Sequence, residues 1–216
     1  MKVGLLGDLH GDMRRLEHVL KTKTDKHDYI IQLGDFGFSD DWAKSQKLEN
    51  LDKLRVVGGN HDDYNWIEEH KPACYLGDFG VLDIIPDRKV FFVRGAYSID
   101  KEKRILDCSW WPQEELRIAK GYECWDLYSS VKPDIVLSHD CPQFVAPYYW
   151  LATVNETTRT RQLLEALYFA HQPKLWFFGH YHTSKQVKQF EPTIFRCVGI
   201  NELVTLDLDT LKWAMG

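Results

Sequence analysis

Gly7-Asp8-Leu9-His10-Gly11, Gly34-Asp35, Gly59-Asn60-His61-Asp62, Ser138-His139-Asp140 and Gly179-His180-Tyr181-His182 hold the side chains of this sequence best suited to chemistry. Each cluster sets carboxylate, amide or imidazole donors beside a small or turn-forming neighbour. Mixed nitrogen and oxygen donors in this number suit two divalent ions that share a bridging carboxylate. With 20 Asp and 9 His in 216 residues, one Asp-x-His is expected about 0.8 times by accident and says nothing alone. The same composition gives about 0.02 occurrences of Gly-His-x-His and about 0.001 of Gly-Asn-His-Asp. Their joint appearance in this order is therefore a signal.

Such donors must be held by a scaffold, and the apolar runs before them describe one. Val3–Leu6, Tyr29–Leu33, Leu54–Val57, Ile135–Leu137 and Leu175–Phe178 read as buried strands bounded by Gly, Asp or Pro. Each donor cluster follows such a strand within one residue, except Asn60, which comes after Val57 and two glycines. The donors are thus expected to converge beyond the carboxyl ends of strands, where open sheets bind ligands. Asp12–Lys21 reads as a helix with Met13, Leu16, Val19 and Leu20 as its apolar stripe. Thr157–His171 reads as a second, carrying Leu163, Leu164 and Leu167 and ended by Pro173. Val81–Ile85 and Lys89–Val93, joined by Pro86-Asp87-Arg88, read as a hairpin, and Leu203–Leu208 with Leu211–Ala214 as another. Alternating strands and helices followed by hairpins predict an α/β (α+β) architecture, a two-sheet β-sandwich flanked by helices, in a single domain spanning 1–216.

Bulk properties exclude other classes. A formal net charge of −5 and a pI near 6.0 do not suit a protein that grips nucleic acid by neutralising phosphates. No apolar run approaches the roughly 20 residues of a membrane span, and the apolar stretch at the N-terminus is too short for a signal peptide. Five cysteines without a Cys-x-x-Cys pair favour a reducing, cytoplasmic setting over a disulfide framework. Cys141, two residues beyond His139, reads as a buried spectator. Trp110 and Trp111 have the chemistry to stack a nucleobase, though burial under a loop is the commoner fate of Trp. Arg159 and Arg161 stand near a helix start, where cations oppose the dipole; a solvated position is the expectation, a phosphate-facing role the alternative.

The ordered set Asp-x-His, Gly-Asp, Gly-Asn-His-Asp, a lone His and Gly-His-x-His, running from Asp8 to His182, resembles the calcineurin-like metallophosphoesterases. The resemblance implies a dinuclear centre at the edge of the sandwich. One ion would take Asp8, His10 and His182, the other Asn60, His139 and His180, with Asp35 bridging. It implies further that His61 donates the proton to the leaving alkoxide. Two cations roughly 3.5–4 Å apart can hold a bridging hydroxide, whose parent water's pKa falls from 15.7 toward about 7. Manganese is the expected metal, and Fe, Zn, Co or Mg also fit such donors. The stretch Arg94-Gly95-Ala96-Tyr97-Ser98-Ile99-Asp100-Lys101, with Trp110-Trp111-Pro112-Gln113-Glu114-Glu115-Leu116, is similar to small bacterial and phage members of the family. In this chain Arg94 and Tyr97 are expected to line the substrate side of the metals and bind a phosphate oxygen, with an arginine ending a hairpin strand in solvent as the alternative.

Two departures from the family pattern matter. Many members carry an Asp three residues beyond the bridging carboxylate, which orients the catalytic His; here that residue is Phe38, with Asp40, Asp41 and Asp62 as possible substitutes. Family protein phosphatases also place arginines where this chain reads Phe36-Gly37-Phe38-Ser39 and Val57-Gly58-Gly59. The expected activity is metal-dependent hydrolysis of a phosphate mono- or diester, with a nucleotide-like substrate favoured. A protein Ser/Thr phosphatase and an inactive binding scaffold of the same fold are the alternatives.

Overall fold

Strands covered on both faces need apolar side chains at nearly every position, and the apolar runs at the donor sites meet that need. A computed structural model of the chain describes residues 1–40, 42, 48–85, 88–150 and 156–216. In it β1 (Lys2–Leu6), β2 (Tyr29–Gln32) and β3 (Leu54–Val56) lie parallel and adjacent. β10 (Leu203–Asp207) runs antiparallel to β1, and β11 (Lys212–Met215) closes the edge, giving the order β11-β10-β1-β2-β3.

The second sheet comprises β4 (Phe79–Val81), β5 (Val90–Val93), β6 (Ile135–Ser138), β7 (Leu175–Phe178), β8 (Lys185–Phe190) and β9 (Thr193–Cys197). Its order is β4-β5-β6-β7-β9-β8, parallel at the centre and antiparallel at both edges.

Side-chain alternation sorts these strands into three cores. Val3, Leu5, Ile31, Val204 and Leu206 meet Val90, Phe92, Ile135, Leu137, Leu175 and Phe177 between the sheets. Full burial of one such side chain contributes roughly 1.5–3 kcal/mol. On the outer face of the first sheet, Leu6, Ile30, Leu54 and Val56 pack on α1 (Met13–Lys23) and α2 (Tyr64–His70). Beyond the second sheet, Phe91, Val136, Trp176 and Phe178 pack on α3 (Ile118–Val131) and α4 (Arg159–Ala170). The expected helix-flanked sandwich is what the chain forms. Asp12, Asp63 and Thr158 cap α1, α2 and α4, each accepting from the backbone N–H three residues on. Among the described residues no helix is long and apolar enough to cross a membrane.

The first expected hairpin shifts by two residues. Phe79–Val81, not Val81–Ile85, pairs with β5, with Phe79 opposite Val93. Leu82 still donates its N–H to the Val90 carbonyl at 2.9 Å; beyond it the chain turns, with the Ile85 N–H bonded back to the Leu82 carbonyl at 3.1 Å, and both side chains enter the core between the sheets. Pro86 and Asp87, expected at its turn, lie outside the described residues.

Candidate metal centre

The parallel strands of both sheets deliver donors to one edge of the sandwich. Asp8 follows β1, Asp35 follows β2, Asn60 follows β3, His139 follows β6 and His180 follows β7. The chain turns sharply at each exit. His10, Asp35, His180 and His182 have φ of 46°, 54°, 68° and 52°, a left-handed region uncommon outside glycine. Such residues cost on the order of 1–3 kcal/mol each and gather at functional sites. Two glycines admit the crowding: a Cβ on Gly34 (φ 101°) would overlap the His139 ring, and one on Gly179 would strike Asp8 Oδ1.

Two donor groups result, each with ligand atoms within 4.8 Å of one another: Asp8, His10, Asp35 and His182, and Asp35, His139 and His180. Asp35 belongs to both. Its Oδ1 stands 3.2 Å from His139 Nε2 and its Oδ2 3.8 Å from His10 Nε2. Asn60 joins the second group, with Oδ1 3.1 Å from His139 Nε2. In the first, His182 Nε2 is 3.2 Å from Asp8 Oδ2 and 2.8 Å from His10 Nε2. The structure thus brings together all seven residues expected as metal ligands.

Hydrogen bonds behind this layer aim the donors inward. His139 Nδ1 lies 2.7 Å from the Leu33 carbonyl, so that nitrogen carries the proton and Nε2 faces the site. Asn60 Nδ2 donates to Ser98 Oγ at 3.0 Å, which turns the amide oxygen toward His139; Ser98 Oγ in turn donates to Glu114 Oε2 at 2.6 Å. The His180 backbone N–H donates to Asp8, and that of His61 to Asp35 Oδ1 at 2.7 Å.

Burial would raise the Asp35 carboxyl, but the surrounding imidazoles, His139 foremost, hold it below the usual carboxylate range. Burial pulls His180 down to about 4, leaving a neutral ring with a lone pair to give. His182 is raised, chiefly by its bond to Asp8. Two buried carboxylates require a compensating charge. The facing ring nitrogens of His10 and His182 can share at most one proton. Carboxylate, imidazole and amide donors arranged this way fit a pair of divalent cations.

The residues around His61 differ from the family pattern. Phe38 is packed against Phe36, Trp42 and Trp66 rather than facing His61. Asp62 does not orient the ring either. Its Oδ1 accepts from the backbone of Gly37 (2.8 Å) and Phe38 (3.3 Å), its Oδ2 from Gly59 (2.8 Å), so it ties the Asp35 loop to the Asn60 loop. Asp40 accepts from Trp66 Nε1, and Asp41 lies outside the described residues. Arg104 instead meets the ring, Nη2 at 2.7 Å from Nε2 and Nη1 at 3.1 Å from Nδ1, while Asp100 Oδ1 holds its Nε at 2.8 Å. Sequence reasoning passed over Arg104, which sits in an irregular loop with no periodicity to mark it.

A cleft of about 410 Å³ opens over the donors, lined by Asp35, Asn60, His61, His180 and His182 together with Tyr97, Ile99, Asp100, Arg104, Tyr149, Trp150 and Tyr181. Tyr97 reaches it; Arg94 does not. The Arg94 guanidinium is buried, bonded to Asp78 Oδ1 and the Gln113 carbonyl (both 2.6 Å) and stacked on Tyr64. Trp111 is buried in the α1 core, and neither it nor Trp110 lines the cleft. Cys141 is fully buried. Arg161 is not solvated: it is fully buried, with Nε 3.0 Å from Asp140 Oδ2. Asp140 also accepts from Tyr181 Oη and the Cys141 N–H, which anchors the loop behind His180. Arg159 is half exposed, 3.5 Å from Glu115.

Comparisons with known proteins agree with this geometry. The family model described as calcineurin-like phosphoesterase matches residues 1–184. A dimetal phosphatase from Danio rerio superposes with a TM-score of 0.54 at 12% identity, over 95% of this chain and 91% of that one. Phosphopantetheinyl hydrolase from Mycobacterium tuberculosis gives 0.51 at 14%, over 93% and 90%. A hypothetical protein from Thermus thermophilus gives 0.56 at 13%, over 99% and 96%. At these identities the likeness is one of fold. No curated protein matches the sequence. The chain belongs to the calcineurin-like phosphoesterases, metal-dependent hydrolases of phosphate esters.

Proposed function

We propose that the protein hydrolyses a phosphate mono- or diester of nucleotide type, with two divalent cations, manganese foremost, held by Asp8, His10, Asp35, Asn60, His139, His180 and His182. The observation that carries this reading is the Asp35 carboxylate, shared between two donor groups at the strand ends of both sheets. When bound, the cations would supply Lewis acidity toward the phosphoryl oxygens and a nucleophile from water at neutral pH.

The chain's own groups supply the rest. Asp35 and Asp8 concentrate negative charge that fixes cations in place. His61, exposed at the cleft and tethered through its backbone to Asp35, stands where it can pass a proton to a leaving oxygen. Burial lowers the His61 pKa, with Arg104 adding to that effect and Asp35 opposing it, which makes the protonated ring a stronger acid. Tyr97, Tyr149 and Trp150 give the cleft aromatic surface of the kind that accepts a planar base.

Purified protein loaded with Mn²⁺ should turn over p-nitrophenyl phosphate or bis-p-nitrophenyl phosphate, and lose that activity to a chelator. Turnover of neither, with metal demonstrably bound, would favour the scaffold; turnover of a phosphopeptide in preference to nucleotides would favour the protein phosphatase.

A further inference from the structure

Arg104 holds more donors than its neighbours can accept. A guanidinium has five N–H groups and no acceptor. Its Nε is committed to Asp100 at 2.8 Å, and one Nη1 hydrogen reaches the Ser109 carbonyl at 3.3 Å. Of the remaining three, one on Nη2 and one on Nη1 face His61, at Nε2 and Nδ1 respectively. A neutral imidazole has one acceptor nitrogen and an imidazolium has none. At least two guanidinium N–H groups therefore meet no acceptor among the described residues, on a side chain that is 11% exposed.

Position gives these donors a purpose. Arg104 lines the cleft together with Asp35, Asn60 and His61, and among the described residues lining it no other arginine or lysine occurs. The neighbouring cations are engaged elsewhere: Arg94 with Asp78 and Tyr64, Lys101 over the rings of Tyr97 and Trp110. The stretches that carry arginines in family protein phosphatases read Phe36-Gly37-Phe38-Ser39 and Val57-Gly58-Gly59 here, so the loop that places Arg104 beside His61 provides the planar, bidentate fork that suits a phosphate.

We infer that Arg104 grips the phosphoryl group of the substrate and biases the site toward phosphate monoesters over diesters. The inference rests on the phosphoesterase reading and deepens it. A monoester is close to doubly charged near neutral pH, its second pKa being about 6, whereas a diester carries one charge and esterifies an oxygen the fork would otherwise take. Asp100 keeps the guanidinium in place by its Nε, and a phosphoryl oxygen would take the Nη hydrogens that His61 and Ser109 cannot accept.

The test pairs binding with turnover. Inorganic phosphate is titrated calorimetrically into metal-loaded wild type, Arg104→Ala and Arg104→Lys, and both p-nitrophenyl esters are assayed in parallel. Thermal unfolding and metal content confirm that each variant is intact. Loss of a charge-assisted bidentate contact is expected to weaken phosphate binding by about 10- to 100-fold in Arg104→Ala. The monoester-to-diester ratio of kcat/KM should fall by a similar factor, with Arg104→Lys between the two. If Arg104→Ala does not fold, the Lys variant, which keeps charge but loses the fork, decides by the same two readouts. Unchanged phosphate affinity and an unchanged ester ratio in a folded variant would overturn the inference. Wild type that turns over neither ester would count against the phosphoesterase reading instead, and the phosphate titration would then decide the role of Arg104 alone.

Discussion

His139 and His182 both point Nε2 at a buried carboxylate 3.2 Å away, yet the first side chain is fully buried and the second is 48% exposed. The contrast extends to their groups. Around His139 stand Asn60, 2% exposed, and the Leu33 carbonyl, all inside the protein. The His182 group includes His10, 27% exposed, and opens to the cleft mouth. One half of the centre is built like a core and the other like a surface. A cation in the buried half would exchange slowly and contribute to folding; one in the open half would exchange readily and meet solvent and substrate.

Asp35 stands in both halves, so its loss should cost most. Asp35→Ala is expected to lower kcat/KM by more than about 1,000-fold, well beyond the 10–100-fold typical of losing an outer hydrogen-bond partner. Steady-state assay at saturating Mn²⁺ checks this. The contrast itself is probed by His139→Ala against His182→Ala. The first strands a buried carboxylate and should destabilise the protein by about 3–5 kcal/mol, read by denaturant unfolding. The second also takes a partner from a buried carboxylate, Asp8, but leaves it the His180 N–H and the open cleft, so it should cost only about 1 kcal/mol and weaken the more exchangeable cation. Equal losses from both would erase the distinction between the halves.

Asp62→Ala sharpens the comparison differently. It releases the backbone N–H groups of Gly37, Phe38 and Gly59 that tie the Asp35 and Asn60 loops. A stability loss of about 1–3 kcal/mol is expected, with cation affinity falling first in the buried half. Arg94→Ala is the outside reference: loss of its Asp78 and Gln113 bonds should cost about 1–2 kcal/mol and leave KM for the monoester unchanged. A raised KM would return Arg94 to the substrate role that its place in the sequence suggests.

The convergence of the seven side chains was legible because each lies within four residues of a strand's end, and a strand exit leaves little freedom in where its next side chains go. α1, α4 and the parallel strands other than β9 were legible for the same reason: their apolar spacing is unbroken. α3 was not, since it buries Cys124 and Tyr128 while Tyr122 and Trp125 stay exposed, which blurs any stripe. β8 buries Val187 alone at its centre and reads as a polar loop. Arg104, Ser98 and Glu114 act through irregular loops, where spacing carries no geometric meaning, and Arg94 looked functional beside Tyr97 although the fold turns it inward.

Metal stoichiometry measured by plasma mass spectrometry together with calorimetric Mn²⁺ titration addresses the shared carboxylate most directly. Wild type should bind two equivalents per chain in two steps of different affinity, and Asp35→Ala fewer than one at the same free Mn²⁺. Two equivalents retained by a folded Asp35→Ala protein would contradict the bridging role from which the catalytic account follows.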